Sequence, residues 1–145
     1  MEHFFLKMRT EQTEINRLQS LIEEKTLSLL PGAIRYDKDK IQISPEDTMS
    51  RILTEVSVMQ AKVDRLDLDL KRRMNRALDI LPEIDSLERQ VVMLYYMMYK
   101  DGHLLTWDDV AGEMGRSDRY VKEIRNRAMK SLEKVCRRKG IKLWV

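Results

Sequence analysis

A chain of 145 residues makes one modest domain, or a small domain with an extended arm, because domains typically run to about 100–200 residues; a multi-lobed enzyme is excluded. Its 27 basic and 24 acidic residues are unevenly spread: residues 1–114 carry 16 Lys/Arg and 21 Asp/Glu, a net of −5, while residues 115–145 carry 11 and 3, a net of +8. A basic end on an acidic body points to a polyanion partner there, since neutralising phosphates releases condensed counterions.

Three prolines and five glycines among abundant Leu, Met, Lys, Arg and Glu favour helix in most windows, and an all-α fold is expected. The single cysteine, Cys136, forms no internal disulfide, and no Cys/His cluster has zinc spacing. No cofactor, metal site or catalytic set is expected. The start lacks a signal-peptide pattern and no apolar run approaches about 18 residues, so a cytoplasmic protein without a membrane span is expected.

The first predicted helix runs from Glu2 to Leu29, with Phe4, Met8, Ile15, Leu18, Ile22 and Leu29 at helical spacing. "LLPGAIRYDKDKIQISPED" interrupts it, with Pro31 and Gly32 as breakers. Ser44 then caps a second helix, with Pro45 in its first position and Glu46 and Asp47 in its first turn. This helix carries Ile52, Val56, Met59, Val63, Leu66 and Leu70 at steps of four and three, then Met74, Ala77 and Leu81, nearly three heptads followed by a slip. From Pro45 to Ile80 it would span about 50 Å. Such a helix cannot bury its seam alone. An antiparallel hairpin with the first helix and a seam between copies are both compatible with the pattern. Residues 1–81, with a loop at 30–44, therefore read as a helical arm that oligomerises, and residues 82–145 as a second domain.

Pro82 ends the arm, and Asp85 or Ser86 caps a helix with the stripe Leu87, Val91, Leu94 and Met98. "KDGHLLT" reads as a loop. Thr106 and Asp109 fit a capping box for a short helix from Trp107 to Met114. Gly115 to Ser117 make a turn, Ser117 caps a last helix with the stripe Val121, Ile124, Ala128, Leu132 and Val135, and Gly140 ends it. Two helices meeting at so short a turn need a small residue where they approach and a residue tolerant of positive φ at the bend. Ala111 and Gly115 stand at those places, with Val110, Met114, Val121 and Ile124 as the shared core. Residues 82–145 thus read as a three-helix helix-turn-helix domain.

If the last stripe faces inward, the opposite face shows Asp118, Arg119, Tyr120, Lys122, Glu123, Asn126 and Arg127. Arg bridges guanine O6 and N7, Asn pairs with adenine and Glu accepts from cytosine N4. Arg119, Tyr120, Lys122, Glu123 and Asn126 are the candidates for base contact with double-stranded DNA. Arg116, Ser117, Arg127, Lys130 and Lys134 are candidates for phosphate, contacts that position without carrying sequence information. The acids Asp64, Asp67 and Asp69 alternate with basic residues and read as a solvated face; His3 and His103 lack ligand partners; Trp107 reads as packing under the short helix. "RRKG" at 137–140 suits either phosphate or a helix C-terminus.

The segment "LPEIDSLERQVVMLYYMMYKDGHLLTWDDVAGEMGRSDRYVKEIRNRAMKSL" resembles region 4 of bacterial sigma factors. The whole chain, with its arm and its "PGAIRYDKDKIQISPED" insert, is similar to small phage-encoded transcriptional regulators of the autolysin-regulator and late-gene-activator type from Gram-positive bacteria and their prophages. The resemblance implies an activator of phage late, packaging or lysis genes, with Arg119, Tyr120, Lys122 and Glu123 in recognition positions. Tyr120 departs from the pattern, which often has a small residue or Thr before the Val. The arm departs from a true sigma factor. Two other functions compete: a small terminase-like packaging subunit forming rings, and a regulator that grips RNA polymerase and touches DNA weakly.

Overall fold

The computed structural model describes residues 1–30 and 45–143. Five helices follow one another within them: α1 (Glu2–Leu27), α2 (Pro45–Ile80), α3 (Ser86–Val92), α4 (Trp107–Met114) and α5 (Asp118–Lys139). The fold is all-α apart from a two-stranded hairpin, β1 (Tyr99–Lys100) with β2 (His103–Leu104). Pro31, Gly32 and Ser44, expected to break and restart the helices, lie outside the described residues. The chain packs as two compact units: residues 14–68, and residues 1–13 together with 69–145. Compactness therefore groups the outer ends of both long helices with α3, α4 and α5.

Residues 14–68 hold an antiparallel helical pair. Lys25 Nζ lies 2.7 Å from Glu55 Oε2, and Lys62 Nζ lies 3.6 Å from Glu14 Oε1, so rising numbers on α1 meet falling numbers on α2. Ile15, Leu18 and Val63 are buried between them, as their helical spacing requires. The remaining seam positions Ile22, Ile52, Val56, Met59 and Leu66 are half-buried. α1 stops two residues short of Leu29, because its end tightens: the N–H groups of Leu29 and Leu30 bond to carbonyls three residues back, each at 3.1 Å.

The second unit is built around a larger core. Phe4, Phe5 and Met8 of α1 are at most 2% exposed, and Ala77, Ile80 and Leu81 at most 1%. Glu11 and Arg73 are buried with them and form an ion pair of 2.6 Å between Oε1 and Nε, which keeps the desolvated charges neutralised. After α2 a single 3-10 turn, Leu81–Glu83, leads to α3, and α3 runs directly into a π-helical turn, Met93–Met97. The wider turn changes the stripe. Val91 and Tyr96, five residues apart, are at most 1% exposed, while Met98, expected in the stripe, is 47% exposed; an extra residue in the turn rotates everything after it.

"KDGHLLT" was expected to be a plain loop and is a hairpin instead, with Tyr99 opposite Leu104 and Lys100 opposite His103. Asp101 and Gly102 form its two-residue bend with φ of 53° and 80°, the pair of positive angles that a type I′ turn demands.

Candidate nucleic-acid interface

α4 is fixed locally at both ends. Thr106 Oγ1 accepts from the Asp109 N–H at 3.2 Å, and Asp109 Oδ2 accepts from the Thr106 N–H at 2.9 Å, a complete capping box. The Asp109 carboxyl is held below the usual range by that backbone N–H and by the Thr106 hydroxyl. At the other end Gly115 takes φ 63°. The Gly115 N–H bonds to Gly112 O at 3.3 Å and the Arg116 N–H to Ala111 O at 3.0 Å, the paired bonds of a Schellman motif. The chain thereby reverses within three residues, and Ser117 starts α5 with its Oγ accepting from the Tyr120 N–H at 3.1 Å.

The two helices share the core expected of them. Val110, Val121 and Ile124 are fully buried and Ala111 is 8% exposed, in one cluster with Val91 and Leu105. Leu87, Leu94, Tyr95, Trp107, Met114 and Tyr120 close around it. Along α5 the buried stripe continues through Ala128, Leu132 and Val135, so the opposite side of the helix faces outward over its whole length.

On that outward side Arg119, Lys122, Glu123, Asn126, Arg127, Lys130 and Lys134 are all exposed. The Arg119 side chain is 88% exposed, with Nε 3.4 Å from Glu123 Oε1; Lys122 Nζ lies 2.8 Å from Asp118 Oδ2. Both pairs join residues one turn apart and contribute well under about 1 kcal/mol in water. A nucleic acid could therefore exchange them at small cost. The two acids also work against indiscriminate phosphate binding, because each neutralises part of the field of its neighbour.

Tyr120 sits differently from the other candidates. It is half-buried against the domain core, and the Arg116 guanidinium carbon lies 5.1 Å from its ring centroid. Its ring is shared between that core and Arg116 rather than standing free. Ser117 accepts a bond from Tyr120 but keeps its hydroxyl proton, the group a phosphate oxygen would take. The "RRKG" run is partly used internally: Glu83 receives Arg138 Nη2 at 3.1 Å and Lys139 Nζ at 2.9 Å, and the Lys139 ammonium holds the Glu83 carboxyl below its ordinary range.

One residue of α5 escaped the sequence reading. Arg125 follows the buried Ile124 and turns back into the unit, donating from Nη1 to Glu2 Oε1 at 2.6 Å and to Tyr96 Oη at 3.4 Å. Its position on the margin of the stripe was the only hint. Burial pushes the Tyr96 phenol up. Trp107 packs as expected, its ring stacked on Tyr95 at 3.7 Å between centroids and 12° between planes. Among the described residues no group of three or more His, Cys, Asp or Glu could hold a metal ion, and no helix is long and apolar enough to cross a membrane.

Comparison with known proteins returned no curated protein and no solved structure that matches this chain. Residues 77–134, from the last turn of α2 through most of α5, match the model of the family Sigma-70, region 4, and the helix-turn-helix they build is similar to those of that family.

Proposed function

We propose that this chain is a sequence-specific DNA-binding transcriptional regulator, working in the cytoplasm as an activator of phage late, packaging or lysis genes. The observation that carries the reading is the outward face of α5. Arg119, Lys122, Glu123 and Asn126 stand there in the first turns of a helix that a Schellman turn and a shared core hold against α4. The N-terminal turns of such a helix are those that reach base edges in the major groove. Behind them Arg127, Lys130 and Lys134 follow at steps of three and four, a spacing suited to a phosphate strand. It is a binding protein rather than an enzyme.

Residues 14–68 serve as the assembly arm of a dimer or higher oligomer. Leu53, Val58 and Leu68 of α2 are 51%, 66% and 51% exposed and are apolar surface that a second copy can cover. The family name of residues 77–134 also favours RNA polymerase as a second partner, tested by pulling down polymerase in the absence of DNA. A packaging subunit would instead form closed rings visible by mass photometry.

Fluorescence anisotropy on prophage promoter fragments tests the main reading. Arg119→Ala and Lys122→Ala are each expected to weaken the preferred fragment by about 1–3 kcal/mol. Binding equal to wild type in both variants would remove α5 as the reading helix.

A further inference from the structure

Four side chains in the unit of residues 1–13 and 69–145 form a continuous pile, two stacked rings between two guanidinium groups. The Arg9 guanidinium carbon lies 3.9 Å from the Tyr95 centroid, Tyr95 stacks on Trp107 at 3.7 Å, and the Arg125 guanidinium carbon lies 5.5 Å from the Trp107 centroid. Two groups within 4 Å of one ring centroid must take opposite faces of it, so Tyr95 is held between Arg9 and Trp107. Trp107 is the first residue of α4, and Arg125 lies within α5. The pile therefore runs from α1, across the π-helical turn, to both helices of the helix-turn-helix.

Both ends of the pile are anchored, and α1 supplies a partner at each. Arg9 Nη1 donates to the backbone carbonyl of Tyr95, and to that of Leu105 at 2.9 Å. Tyr95 belongs to a closing turn, where carbonyls lack helical donors, and Leu105 immediately precedes the cap of α4. At the far end Glu2 accepts from Arg125 at 2.6 Å. Beneath the pile Phe5 packs on Tyr96 with centroids 5.4 Å apart. A planar guanidinium can stack and donate at once, which an ammonium cannot.

We infer that Arg9 is a positioning residue of the helix-turn-helix. It grips Tyr95 and Leu105, thereby fixing Trp107, and with Glu2 on Arg125 it makes the first turns of α1 set how α5 is presented. The consequence for DNA rests on the function proposed above; the coupling of α1 to α4 and α5 does not.

Full-length Arg9→Ala, Arg9→Lys and Tyr95→Phe separate the two. Hydrogen exchange of the α4 and turn amides, Val110 to Ser117, is expected to quicken about tenfold in Arg9→Ala, as the loss of one or two such contacts implies. Residues 14–68 should exchange as in wild type. Tyr95→Phe keeps the ring and should match wild type, while Arg9→Lys recovers only part of the loss. With a duplex that wild type enriches from a random-sequence library as probe, Arg9→Ala should bind about tenfold more weakly yet hold unselected duplex equally well. Unchanged exchange in Arg9→Ala, or an equal rise in residues 14–68, overturns the coupling. If Arg9→Ala does not fold, Arg9→Lys carries the same comparison. If the exchange result holds but wild type enriches no sequence, the DNA reading fails and the coupling stands.

Discussion

Gly115 sits at φ 63° with nothing within 4 Å of where a Cβ would stand, so a side chain there meets no neighbour and the whole penalty is in the backbone. Gly115→Ala should lower stability by about 1 kcal/mol, and Gly115→Asn by less, since Asn tolerates the left-handed region. Urea unfolding checks this: the midpoint should move while the slope stays. On the outward face, Lys130→Ala should weaken all duplexes about equally and flatten the salt dependence by about one ion, whereas Arg119→Ala should relax preference at the one position it reads. Residues of these two kinds were legible in advance because caps and helical faces are local. Arg125 and Glu11 were not. Their partners Glu2 and Arg73 are 123 and 62 residues away, and periodicity assigns a side chain to a face without naming what lies across it.

Among the elements, α2, α4 and α5 begin and end where their breakers and caps place them, because Pro45, Thr106, Ser117, Gly115 and Gly140 each act within a few residues. The segment between α3 and α4 was harder to read. A 3.6-residue stripe cannot anticipate a π-helical turn and places Met98 in the interior that Tyr96 occupies; the Asp101-Gly102 pair is a hairpin signal in its own right, though too short to stand out from the polar residues around it. The capping box of α4 offers a clean measurement. Thr106→Ala should cost about 1 kcal/mol, and adding Asp109→Ala should cost less than the sum of the two changes alone, because the two bonds are reciprocal. Strict additivity in thermal unfolding would mean that the two bonds hold α4 independently.

For the molecule as a whole, acid should act on both compact units. The Glu14 carboxyl is held down to about 2 from an ordinary 4.5, chiefly by Arg17, and Lys25 and Lys139 likewise lower Glu55 and Glu83. Carboxyls depressed in the folded state stabilise it fully above their unfolded values and lose that contribution as pH falls through the folded ones. The thermal midpoint should thus be flat above about pH 5 and drop toward pH 2, and high salt should shrink the drop, since these pairs are exposed. If the arm assembles copies, Leu53→Lys with Leu68→Lys should yield a monomer by mass photometry and leave the circular dichroism of the helices unchanged.

The contact between Glu2 and Arg125 also sets an order of events during synthesis. The first turn of α1 leaves the ribosome early, but the arginine it must meet is made 123 residues later, a wait on the order of ten seconds at ordinary elongation rates. Phe5, which ends fully buried against Tyr96 with ring centroids 5.4 Å apart, meets its partner sooner, because Tyr96 precedes Arg125 in the chain. The unit that carries the helix-turn-helix is thus completed only when its segment of α1 and its last helix have both been made.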